Sequence, residues 1–266
     1  MDRALASRQD EIDEVHGGSV VSGQCNLARE AEYWTPHHIR AAVTATGVVL
    51  LDLKQNRYRA LGESNARELA ALAANWSDVS NQTEPLAAAS RDEAARHAPA
   101  FVQAGLLSRD QPDVAFHTRH VDVHGLLTSI GLQEQRHASI HLHHVGTFVR
   151  ACFWAKRALK SRTLYSLACE VSARKAAANS SVDVERTIEL VCVFRKLRPF
   201  AFEAQDRCLF HALALVRFLA RYESYPTWVI GVRPKPWGAH SWVQHENLIL
   251  DGNPEDICSF TPILAV

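Results

Sequence analysis

The sequence predicts an α+β fold built from two units. Two observations of element order carry this. In the first half, three short strand-like runs precede small helices; in the second, helices precede a set of apolar β-like runs. A third observation is compositional: 47% apolar and 22% charged residues are enough for a real core and ordinary for a globular chain.

The elements follow in order. Residues 1–33 are polar, carry Gly17, Gly18 and Gly23, and read as a flexible tail. Ile39 to Val43 reads as a strand, Val48 to Leu53 as a second after the Gly47 turn, and Arg57 to Leu61 as a third after Lys54-Gln55-Asn56. Close spacing and polar turns favour a meander. Glu63 to Trp76 has helical spacing, with Ala66, Leu69, Ala70, Leu72 and Ala73 as its stripe and Ser64 as N-cap. After a loop, Arg91 to Ala104 reads as a helix closed by Gly105. These elements define a unit over 34–110. Residues 111–139 have weak periodicity and read as a linker. The second unit, 140–266, has helices at Val145 to Leu159, Val182 to Phe194 (stopped by Pro199) and Asp206 to Tyr222. Strands follow at Trp228 to Val232, Ala239 to Gln244 and Leu248 to Asp251, and the chain closes with Phe260 to Val266.

Several function classes drop out. Lys and Arg total 29 and Asp and Glu total 29, so there is no basic surplus for nucleic acid. No apolar run approaches the ~20 residues of a membrane span; the best stretch, Gly146 to Ala155, is broken by Arg150. The first residues lack an apolar segment of the secretory kind, so a cytoplasmic location is expected. Six cysteines, at 25, 152, 169, 192, 208 and 258, form no C-x-x-C pair. Most read as small buried apolar residues, Cys258 among them. The histidines at 137, 141, 143 and 144 lack H-E-x-x-H spacing and a nearby carboxylate, so no metal site is expected. Neither a phosphate-binding G-x-x-x-x-G-K-[ST] loop nor G-x-G-x-x-G is present. Arg195, Lys196 and Arg198 read as a solvated helix end.

The chemistry concentrates in the last 60 or so residues. Cys208 stands at the start of a helix, His240 on a strand and Asp251 at the end of the next. A helix N-terminus offers unpaired N–H groups and partial positive charge, which favour thiolate over thiol. The same donors hold an oxyanion during acyl transfer. In this order His240 takes the thiol proton and returns it to a leaving amine, while Asp251 orients the imidazole. Residue types alone also admit a plainer reading, in which Cys208 is small and buried and His240 packs beside Trp242.

DRCLFHALALVRFLARY, VIGVRPKPWGAHSWVQ and LILDGNPEDICSFTPILAV, with FRKLRPF upstream, resemble the C-terminal domain of lasso peptide biosynthesis B proteins. These are transglutaminase-like cysteine peptidases that remove the leader of a ribosomal precursor. The resemblance implies a transglutaminase/papain-like fold for 140–266, with Cys208 as nucleophile, His240 as general base and Asp251 as the acid. One departure stands out. The family's usual Asn-Asp after the last strand is Asp251-Gly252 here, which puts Gly in the Asp slot.

GVVLLDLKQNRYRALGESNARELAAL is similar to the small winged-helix leader-recognition domains akin to the pyrroloquinoline quinone chaperone. That likeness implies that the leader of a lasso precursor adds as a strand to Arg57–Leu61. Tyr58, Leu61 and Phe101 are the candidate leader contacts. It also implies a partner, an asparagine-synthetase-like cyclase that closes the macrolactam. No cofactor is expected in the chain itself; ATP dependence would enter through the cyclase. The expected activity is leader-peptide hydrolysis. The alternatives are a transglutaminase-like acyltransferase, or a leader-binding scaffold whose peptidase half is inactive.

Overall fold

The computed structural model describes residues 33–81, 89–121, 123, 128–129, 138–178, 183–200 and 208–266. The expected tail, up to residue 32, lies outside the described residues. Strands β1 (Ile39–Thr44), β2 (Gly47–Asp52) and β3 (Arg57–Leu61) form an antiparallel sheet in the order β1-β2-β3. The second hairpin is set by Asp52, whose carboxylate accepts from the backbone N–H groups of Lys54 and Gln55, each at 2.9 Å.

Strands β1 and β2 are buried on both faces, whereas β3 is largely exposed. Val48 and Leu50 join Ile39 and Ala41 in a core built with α1 (Glu63–Leu72), α2 (Trp76–Val79), α3 (Arg91–Ala95) and α4 (Ala98–Gln103). Val49 and Leu51 join Ala42 in the core of the C-terminal helices. Alternation between two apolar faces leaves no polar positions, which is why β2 reads as an unbroken apolar run.

Two helix boundaries differ from the sequence expectation, one for a long-range reason and one for a local reason. The helix expected to reach Trp76 stops at Leu72, because the chain there pairs with residues 33–35 instead. Ala74 N–H donates to Tyr33 O at 2.8 Å, and the Asn75 amide exchanges hydrogen bonds with the Thr35 backbone at 2.8 and 2.9 Å. At its start Gly62, not Ser64, occupies the cap position. The helix expected over 91–104 is two helices, broken at Arg96-His97. Pro99 has no N–H to return to Ala95 and its ring crowds the preceding turn. Gly105 closes α4 with φ of 70°, as expected of that position.

The connecting stretch is pinned where it is described. Phe116 is buried, Arg119 N–H donates to Ala265 O at 3.0 Å, and β4 (Thr128–Ser129) pairs parallel with a strand of the second sheet.

Helices α5 (Leu142–Ser161), α6 (Leu164–Ala177), α7 (Val184–Leu197) and α8 (Cys208–Ala220) follow, with a 3₁₀ turn at Arg198–Phe200 after α7. The sequence reading missed α6, although its signal is present. Leu164, Leu167, Ala168 and Val171 form a buried stripe, and Thr163 caps the helix by accepting from Ser166 N–H at 3.2 Å. Its backbone also ties to the first sheet: Tyr165 N–H donates to Leu53 O at 2.9 Å and Leu164 N–H to Asn56 Oδ1 at 3.1 Å.

The second sheet has the order β4-β7-β6-β5-β8, from β5 (Thr227–Arg233), β6 (Gly238–His245), β7 (Leu248–Asp251) and β8 (Thr261–Ala265). Helix α9 (Pro254–Ile257) links β7 to β8. Trp228, Ile230, Val243 and Leu250 belong to the core shared with the helices. Val229, Trp242, Ile249 and Ala265 face the other way, with Ile257. Helix α8, buried over most of its surface, packs between α5, α7 and the strands β5 and β6.

Candidate active site

Cys208 is the first described residue of α8, and its thiol is free and half-buried. The first-turn N–H groups of a helix have no partner within the helix, and the apolar body of α8 fixes where they point. Tyr58, from β3 of the N-terminal sheet, is the titratable group that senses this thiol. Burial, and then the charge of Cys208, push the Tyr58 hydroxyl up to about 12. The Tyr58 ring meets Trp237 edge-on, with centroids 5.5 Å apart. Trp237 immediately precedes β6, so β3, α8 and the entry to β6 are joined through this one tyrosine.

His240 lies on β6 opposite Gly231. Its ring stacks on Trp242 at 6.1 Å and lies 5.4 Å from the Phe260 ring. Burial pulls its pKa down; the charges of Asp251 and then Asp256 push it back up. A depressed pKa keeps the imidazole neutral near pH 7, the form a general base requires.

Asp251 ends β7, opposite Val243 beyond a register shift. Its carboxylate accepts from Arg198 Nη1 at 3.3 Å, and Arg195 donates to the neighbouring Leu250 carbonyl at 3.0 Å. The basic cluster that reads as a solvated helix end is therefore turned onto β7. The signal was legible: three-residue spacing puts Arg195 and Arg198 on one face. Gly252 explains the departure noted in the sequence. A side chain there would begin 4.0 Å from His240 Nε2 and only 2.8 Å from Ile257 Cδ1, on a backbone with φ of 121°. The slot beside the imidazole is thus filled by Ile257, and the carboxylate influence on His240 comes from Asp251 and Asp256.

The structure places His240 within the electrostatic influence of Asp251, and Tyr58 within that of Cys208. Among the described residues, no hydrogen bond joins Cys208 to His240 or His240 to Asp251. Of the other two candidate leader contacts, Leu61 is half-buried against the N-terminal core and Phe101 is 8% exposed within it. Tyr58 packs instead against the helical core. Nothing in the local patterning signals that Tyr58 and Trp237 meet, since they are far apart in the chain. Cys258 donates to Val123 O at 3.2 Å and takes no part in this group.

A family model described as the transglutaminase-like superfamily matches residues 131–265. The chain belongs to the transglutaminase-like superfamily. No curated protein and no solved structure matches it. The transglutaminase-like region contains Cys208, His240 and Asp251 together, and such a domain is compatible with a cysteine peptidase or an acyltransferase.

The link between Asp251 and His240 has a measurable consequence. Removing a neighbouring negative charge disfavours the imidazolium, and Asp251 is the first-named charge that raises the His240 pKa. In Asp251→Asn the His240 pKa measured by NMR titration falls below its value in the native chain. An unchanged or raised value breaks the link.

Proposed function

We propose that this transglutaminase-like chain is a lasso peptide biosynthesis B protein, a cysteine peptidase that removes the leader of a ribosomal precursor. The observation that carries the thiol chemistry is the position of Cys208 in the first described turn of a buried helix packed against the strand of His240. His240 takes the thiol proton, and Sγ attacks the scissile carbonyl to form a tetrahedral oxyanion beside the first-turn N–H groups of α8. Collapse expels the amine of the core peptide, which receives the proton from His240, and leaves an acyl-thioenzyme. Water, deprotonated by His240, releases the leader as a carboxylate and restores the thiol. Cys208 and His240 need to come within hydrogen-bond reach for the first step, and such contacts commonly tighten only when substrate is bound.

The N-terminal unit, 34–110, supplies leader recognition in this reading. β3 is an edge strand, with β2 on one side, and an extended peptide adds to such an edge through backbone hydrogen bonds. The freed amine then passes to an asparagine-synthetase-like cyclase, the partner through which ATP would enter.

Mass spectrometry of a leader-bearing peptide incubated with the chain and the cyclase tests the proposal. Hydrolysis gives two fragments whose masses together exceed the precursor by one water. An amine adduct on the leader fragment makes the chain an acyltransferase instead. Uncut peptide that still binds leaves it a leader-binding scaffold.

A further inference from the structure

A cavity of about 920 Å³ opens where β1 approaches β8, and neither Cys208, His240 nor any residue of β3 lines it. Its size falls within the roughly 300–1,000 Å³ of small-molecule sites. Arg40 borders it from β1 and is 0% exposed. The Arg40 guanidinium lies 4.8 Å over the Phe116 ring. Nη1 donates to the backbone carbonyl of Asp78 at 2.8 Å and Nη2 to His37 Nδ1 at 3.0 Å; the buried Nε–H has no partner. Among the described residues Arg40 makes no ion pair. A guanidinium carries five N–H donors, so this buried cation keeps donors to spare and lacks a bonded carboxylate. Burial lowers the Arg40 pKa to about 10, which still leaves it charged at neutral pH.

The neighbours add donors. Arg40 has nothing to accept with, so His37 Nδ1 is the acceptor and its proton sits on Nε2. Ser80, which also lines the cavity, has a buried hydroxyl without a partner. Exposed Arg119, His117 and His120 stand at the rim. Asp78 is the one carboxylate residue among the described residues lining the space. Burying an arginine without a paired charge costs stability, and a cavity beside it is where the missing charge fits.

We propose that this cavity binds an oxyanion, a carboxylate or phosphate group that docks on Arg40 with Arg119 at its mouth. Binding there is independent of the thiol, so a Cys208→Ala chain retains it. The test is thermal unfolding and calorimetric titration of the full chain with potassium phosphate and with succinate, against chloride at matched ionic strength. Phosphate or succinate raises the Tm and chloride does not. A response to phosphate alone assigns phosphate esters as the ligand class; a response to succinate alone assigns carboxylates. In Arg40→Met the anion effect disappears, and the chain without anion melts no lower than the native one, because a hydrophobe of similar volume replaces an uncompensated charge. Arg119→Gln, at an exposed position, weakens the anion by at least about fivefold. No anion-dependent rise, an equal rise with chloride, or a rise that survives in Arg40→Met overturns the proposal. So does an Arg40→Met chain that fails to fold, since the charge would then serve the fold without a ligand.

Discussion

Replacing Cys208 by Ala reduces leader removal by at least about 10³-fold in kcat/KM and leaves the dissociation constant for a leader peptide unchanged. The two halves of this expectation have separate causes. Without sulfur no acyl-thioenzyme forms, and His240 is left to activate water against an unactivated amide. Leader affinity, in the function proposed above, belongs to the edge of β3, which Cys208 does not form. The side chain is half-buried and loses a single heavy atom, so the melting temperature moves little. Processing assayed by mass spectrometry beside binding by fluorescence titration reads both halves. Cleavage persisting at the native rate removes Cys208 from the mechanism. Loss of binding along with cleavage would place the leader at the thiol rather than at β3.

Trp242→Ala costs about 3–5 kcal/mol of folding stability. Trp242 is 0% exposed and belongs to the core on the sheet face away from the helices. Its ring occupies the room left by Gly231, where an added Cβ would come within 2.7 Å of it. Its indole N–H donates to Gln244 Oε1 at 2.6 Å, and truncation strands that buried acceptor as well as opening a cavity. Because His240 stacks on the same ring, the substitution also frees the imidazole to rotate. Urea unfolding measures the stability loss. A cost below about 1 kcal/mol would mean that the sheet collapses into the vacancy, against close packing on this face.

Local patterning was legible along most of the chain. The three strands of the first sheet, helices α5, α7 and α8, and the strands carrying His240 and Asp251 all follow from apolar spacing and turn residues. Even the missed α6 carries its stripe and its threonine cap. One boundary error lies where a local signal competes with a distant one, since α1 stops early because Asn75 bonds to Thr35; the other is local, Pro99 breaking the helix expected over 91–104. The transglutaminase-like character of residues 131–265 was likewise visible, through the resemblance carried by the motifs around Cys208 and His240.

What the amino-acid order determined by itself is therefore the identity and sequence of the elements, since periods of two and of 3.6 residues are written within each segment. Which faces meet was decided only by the tertiary structure. Tyr58 against Trp237, Arg198 on Asp251, Ile257 in the slot beside the imidazole, and Arg40 at a cavity, without an ion pair among the described residues, all join residues from separate elements. Their meeting depends on how buried surfaces from distant segments fit together, and no window of sequence contains that fit.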